Sequence, residues 1–141
     1  MIEISKMFGF EASHRLINPL LSAEKNKKIY GKCYDCISHG HSYKLNVTIG
    51  GVIDNNGMII NFTDLKKIVN KLIIEKVDHK FLNEEVTFLK NKPTTCENMI
   101  IQFWKILDNY LTTYNDNIFL KKLELWETED SKATMEIERC E

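Results

Sequence analysis

The sequence predicts an α+β fold, an antiparallel sheet with helices packed on one face. Three observations lead there. Period-two alternation, the mark of half-buried strands, occupies both ends of the 141-residue chain. Two stretches with three- and four-residue apolar spacing lie together between those ends. The strands at each end follow one another without a helical crossover, which favours antiparallel pairing. No repeat, low-complexity tract or Pro/Gly/Ser linker divides the chain, so residues 1–141 read as a single domain.

In the first segment Ile2, Ile4, Phe8, Phe10 and Ala12 share one parity, interrupted by Lys6, and His14 continues that face. From Ile17 to Tyr30 the pattern dissolves into a lysine-rich stretch read as loop. The clearest strand follows. His39, His41, Tyr43, Leu45, Val47 and Ile49 point one way, and Ser42, Lys44, Asn46 and Thr48 the other. Gly50-Gly51 and Asn55-Asn56-Gly57 punctuate a connection to a short strand at Met58–Asn61, expected to form a long-looped hairpin. Thr63 is then read as the N-cap of a helix whose stripe is Leu65, Ile68, Val69, Leu72, Ile73 and Val77. A second helix is expected from near Thr94, burying Ile100, Phe103, Trp104, Leu107 and Leu111, with Thr94-x-x-Glu97 as its capping box. Two strands close the chain. Leu123, Leu125 and Glu127 share a face of the first, and Ala133, Met135 and Ile137 a face of the second.

Composition excludes several function classes. Nineteen basic residues against 20 acidic ones give a net charge of −1, without the basic surplus of a nucleic-acid binder. No apolar run approaches the ~18 residues of a membrane helix. Met1–Phe10 carries Glu3 and Lys6 within its apolar stretch, unlike a secretory signal. Cys33, Cys36, Cys96 and Cys140 are too sparse and uneven for a disulfide framework. The expectation is a cytoplasmic protein with neither nucleic-acid nor membrane partners.

The four histidines, 14, 39, 41 and 79, are the informative residues. His39-Gly40-His41 sets two imidazoles on one face of a strand, a spacing that suits a divalent metal, zinc first. His14 has the parity to join them if the two strands are neighbours. Three histidines with an open position form a catalytic zinc arrangement. A second reading stays open: Cys33, Cys36, His39 and His41 as a closed structural shell, making the protein a non-catalytic zinc module. Asp78-His79 gains meaning only beside a thiol or hydroxyl able to exchange a proton. Glu127, on an apolar strand face, needs donors if buried, and a ligand with two parallel N–H groups would supply them.

These motifs together resemble the 6-pyruvoyl-tetrahydropterin synthase family, which includes the bacterial 6-carboxy-tetrahydropterin synthases of the queuosine route. The resemblance rests on Phe10–Leu16, Gly31-Lys32-Cys33, His39–Lys44, Gly57-Met58 leading into Asn61–Lys67, Val77–Asn83, Pro93–Asn98 and Glu124–Thr128, which arrive in the family's order. It implies the tunnelling fold, with a sequential four-stranded antiparallel sheet and two helices on one side. It also implies a homo-oligomer, a trimer or a hexamer of two stacked trimers, with sites at subunit interfaces. Carried over by residue, it makes His14, His39 and His41 the zinc ligands and Cys33 the catalytic thiol, with Asp78 and His79 completing a proton relay from a neighbouring subunit. Glu127 would anchor the pterin, with Glu97 and the Thr94–Thr95 segment close by. The implied substrate is 7,8-dihydroneopterin triphosphate, and triphosphate is released. Cys33, six residues before His39, has the spacing of the animal pyruvoyl-forming enzymes of the tetrahydrobiopterin route; Asp35 holds the position usual for the bacterial thiol, and Cys36 is the fallback nucleophile. The Pro93–Asn98 and Glu127–Ala133 segments look bacterial, and on them the expected product is the 6-carboxy pterin, with the 6-pyruvoyl pterin as the alternative.

Overall fold

The computed structural model describes residues 1–138; Cys140 therefore lies outside the described residues. In chain order the elements are β1 (Ile2–His14), α1 (Ala23–Tyr30), α2 (Lys32–Asp35) and β2 (His39–Gly51). Next comes a helical run in which α3 (Phe62–Val69) passes through a π-helical turn at Asn70–Ile74 into α4 (Glu75–Val77). Then follow β3 (Lys80–Phe81), α5 (Leu82–Glu85), a 3-10 turn at Thr87–Leu89, α6 (Cys96–Tyr114), β4 (Ile118–Thr128) and β5 (Ser131–Glu136).

The sheet runs β3-β1-β2-β4-β5. Its four long strands are antiparallel neighbours in chain order, as the alternation predicts. The fifth, β3, is an addition: two residues pair parallel to Ala12 and Ser13. The predicted faces hold. Phe8, Phe10 and Ala12 of β1 and Tyr43, Leu45, Val47 and Ile49 of β2 are buried in one core with Leu65, Ile68, Val69, Ile73 and Val77 of the first helical run. Met99, Ile100, Phe103, Trp104, Leu107 and Leu111 of α6 complete it. Close approach requires the glycines where β2 meets β4. A Cβ on Gly50 would stand 2.6 Å from the Phe119 ring, and one on Gly51 2.6 Å from the Asn117 carbonyl oxygen.

Five local expectations are corrected. Met58–Asn61 is not a strand, because β1 and β4 already occupy both edges of β2 at Gly50 and Gly51. The segment instead closes on Asp54, whose carboxylate accepts from the amides of Asn56 and Met58, while Ile59 and Ile60 turn into the core. The first helix is capped by Asn61, not Thr63: the Asn61 side chain accepts from the Thr63 amide. The second is capped by Thr95, whose hydroxyl accepts from the Asn98 amide, so the Thr94–Glu97 box is displaced by one residue. The Ile17–Tyr30 stretch contains α1. Its Ser22 cap accepts from Lys25, and buried Asn26 bonds the backbone of Asn18, Leu21 and Ser22. Finally, Ile137 falls just beyond β5 and is exposed.

Candidate metal centre and active site

The antiparallel register sets His14 directly opposite His39, with Ala12 opposite His41. All three histidines therefore face the helix side at the ends of β1 and β2. One ring nitrogen from each falls within 4.8 Å of the others, the arrangement expected of a metal-binding set. His14 is fully buried, and its Nε2 lies 3.1 Å from His39 Nε2.

The tautomer of His14 follows from its surroundings. Nδ1 lies 2.8 Å from the Thr94 carbonyl oxygen, which can only accept, so Nδ1 carries the proton and Nε2 of the neutral ring presents a lone pair. A backbone carbonyl on the far nitrogen is how metal-ligating histidines are usually oriented. His39 has an analogous outer contact, with its Nδ1 3.4 Å from Cys36 Sγ. His41 Nε2 is buried and has no hydrogen-bond partner. Burial first, then the neighbouring imidazoles, holds His39 below its ordinary value; burial does the same to His41. Both rings are therefore biased to the neutral, ligating form. These donors fit a divalent ion of the zinc type.

The alternative Cys33, Cys36, His39, His41 shell is not the set brought together. Among the described residues, the potential ligands that cluster are His14, His39 and His41. The Cys36 sulfur approaches the far nitrogen of His39, away from the cluster. Cys33 and Cys36 sit on a turn tied to the end of β1. The Leu16 amide donates to the Cys33 carbonyl, Arg15 Nε to the Tyr34 carbonyl, and the Arg15 guanidinium lies 4.3 Å from the Tyr34 ring centre. Cys33 is half-buried there.

Glu127, the penultimate residue of β4, lies beside the cluster. Its Oε1 lies 3.2 Å from His14 Nε2 and 3.3 Å from His41 Nε2. Around this point Tyr43 is stacked on Phe10, and burial pushes its phenol, which lacks a hydrogen-bond partner, strongly upward. The Cys96 thiol donates to the Leu125 carbonyl and is pushed by burial up to about 11.

The remaining predicted residues are elsewhere. Thr95 spends its hydroxyl on the α6 cap, and Glu97 is exposed in the first turn. His79 lines an open groove of about 520 Å³ with Glu11, Ser13, Gly40, His41 and Ser42, and Asp78 precedes it in the chain. His79 has φ 58, its amide donates to the Glu11 carbonyl, and its Nδ1 lies 3.0 Å from Asp78 Oδ1. The Glu11 amide, first, and then His79 hold the Asp78 carboxyl below its ordinary value. Sequence reasoning missed Thr94 as the partner of His14, since a carbonyl leaves no mark on residue type. It also missed the Asn83 clamp, which accepts from the Arg15 amide and donates to the Arg15 carbonyl. Tyr43 was detectable, two residues beyond His41 on the same face.

Comparison with known proteins agrees with this geometry. The family model for 6-pyruvoyl tetrahydropterin synthase matches residues 3–138. A 6-pyruvoyl tetrahydrobiopterin synthase of Dictyostelium discoideum is 43% identical over 123 residues, covering 86% of each chain. The Pongo abelii protein of the same name is 38% identical over 130 residues, covering 92% of this chain and 87% of its own. A 6-carboxy-5,6,7,8-tetrahydropterin synthase of Haemophilus influenzae is 39% identical, but over 60% of this chain and 55% of its own. The solved 6-pyruvoyl tetrahydropterin synthase of Caenorhabditis elegans superposes with a TM-score of 0.82 at 30% identity, covering 97% of this chain and 96% of that one. Family match, strand order and clustered histidines converge, and the chain belongs to the 6-pyruvoyl tetrahydropterin synthase family of enzymes.

Proposed function

We propose that this protein is a zinc-dependent lyase that converts 7,8-dihydroneopterin triphosphate to 6-pyruvoyl-tetrahydropterin with release of triphosphate. The observation that carries this reading is the convergence of His14, His39 and His41, with His14 turned to its ligating tautomer by the Thr94 carbonyl. The sequence-based preference for the 6-carboxy product gives way here. The relatives that match most of this chain are named for the 6-pyruvoyl pterin, whereas the Haemophilus influenzae match covers 60% of it. The six-residue step from Cys33 to His39 points the same way.

In this reading His14, His39 and His41 hold the ion, which when bound supplies Lewis acidity for negative charge developing on the side-chain oxygens of the substrate. Cys33, half-buried on its anchored turn, removes a carbon-bound proton as the thiolate. The electron pair released drives an internal redox shift that expels triphosphate, so no external oxidant is needed. Glu127 accepts from the amino group and ring N–H of the pterin, with Thr95 and Glu97 bordering it. Asp78 and His79 serve the proton relay of a neighbouring copy, a role supported by the pairing of the two side chains and the exposure of the His79 ring. The protein works as a homo-oligomer in the cytoplasm.

Incubation with 7,8-dihydroneopterin triphosphate followed by mass spectrometry tests the proposal. A 6-pyruvoyl pterin and triphosphate are expected. A 6-carboxy pterin with acetaldehyde would reverse the product, and an untouched substrate in the presence of zinc would refute the enzyme.

A further inference from the structure

The position of Glu127 does not match that of a carboxylate waiting only for a ligand's N–H groups. Its Oε1 is set against the Nε2 atoms of His14 and His41, at 3.2 and 3.3 Å, and His14 Nε2 is 3.1 Å from His39 Nε2. Ligands about 2.0–2.1 Å from a tetrahedral zinc stand about 3.3–3.4 Å apart along each edge. Three edges of such a tetrahedron are thus close to their ideal length, while the His41 nitrogen lies as much as 4.8 Å from another histidine ligand atom and must draw in on an ion. The chemistry agrees. His14 donates its Nδ1–H to the Thr94 carbonyl, and His41 Nε2 is buried without a hydrogen-bond partner. A carboxylate oxygen packed against the His14 Nε2 lone pair is repulsive until a cation sits between them.

We infer that Glu127 is the fourth ligand of the resting metal site and leaves it when the pterin ring arrives. The inference builds on the metal-binding part of the proposal above. The same carboxylate cannot hold both the ion and the ring, so the two compete, and the resting site is closed to adventitious ligands. Pterin binding then opens the position that the substrate's side chain uses. By reciprocity, a pterin ring without side-chain hydroxyls must weaken zinc binding by the same factor by which zinc weakens its own.

The test is zinc affinity, read by chelator competition on the intact protein without turnover. Glu127 is partly exposed and at a strand end, so its replacement leaves the core intact. Glu127→Ala is expected to lower zinc affinity at least about tenfold in the absence of pterin, with Glu127→Gln between it and the parent. Adding 6-methylpterin weakens zinc binding to the parent and leaves Glu127→Ala unaffected. The visible spectrum of the Co²⁺-substituted protein should change with both the substitution and the pterin. Zinc affinity of Glu127→Ala within twofold of the parent overturns the inference and leaves Glu127 as an anchor only. A parent that binds no zinc overturns the metal-site reading itself, a result distinguishable from the first.

Discussion

The two ends of the proposed machinery differ in how much of their environment one chain supplies. At the end of β1 and β2 the histidines are enclosed: His14 is fully buried, Thr94 orients it and Glu127 closes the group. On the opposite face of β1, Glu11 and Ser13 border the groove lined by His79, whose side chain is 77% exposed. The enclosed half is organised by contacts within the chain. The open half has its acid and base paired with each other and addresses whatever docks there. In the proposed mechanism the metal ligands come from one chain, whereas the proton relay is completed by another copy.

The largest expected effect strikes the enclosed half. His14→Ala should cut bound zinc at least roughly tenfold, and it deprives the buried Thr94 carbonyl of its donor, a cost of about 1–3 kcal/mol. Metal analysis and a thermal melt check both. Retention of a full metal complement would break the distinction between the halves. Next, Cys33→Ala and His79→Ala should each keep zinc and lose about 10²–10⁴ in turnover. Mixed oligomers of the two variants should recover part of the activity, because some interfaces then join an intact thiol to an intact imidazole. Failure of complementation would place both residues in the service of one chain.

A smaller effect concerns the segment between the halves. Asn26→Ala removes the hub that bonds Asn18, Leu21 and Ser22, and should cost about 1–3 kcal/mol in denaturant unfolding. The smallest belongs to Cys96. Its folded value of about 11 lies above the ordinary 9.0, so its contribution to stability is complete below pH 9 and is lost as the pH rises through about 11. Peptide mapping after alkylation at pH 8 should find Cys33 and Cys36 modified well before Cys96. Equal rates would show that the wall behind Glu127 is open.

Much of the fold was legible because its determinants are local. Period-two burial in β1 and β2 is written in residue type, and so is the α6 stripe. The errors came where a neighbouring element decides. Met58–Asn61 follows a turn signal that suits a hairpin, but both edges of β2 were already taken. The lysine-rich stretch hid α1 because its stability comes from Ser22, Asn26 and the chain turn at Gly31, φ 54, not from an apolar face. Both helix caps were misplaced, since nearby capping residues, Asn61 with Thr63 and Thr94 with Thr95, compete for one role and geometry selects between them.

For the site, the sequence by itself determined which residues could act and on which side of their strands they stand. Side chains at i and i+2 share a face in any strand, so His39 and His41 were paired from the start and His14 had the matching parity. Tertiary structure alone decided the rest. The register that sets His14 against His39, the Thr94 carbonyl 80 positions away that chooses its tautomer, and the carboxylate of Glu127 against two imidazoles are all long-range contacts. Parity is a property of the backbone within one strand. Coordination depends on distances between strands, which only packing sets.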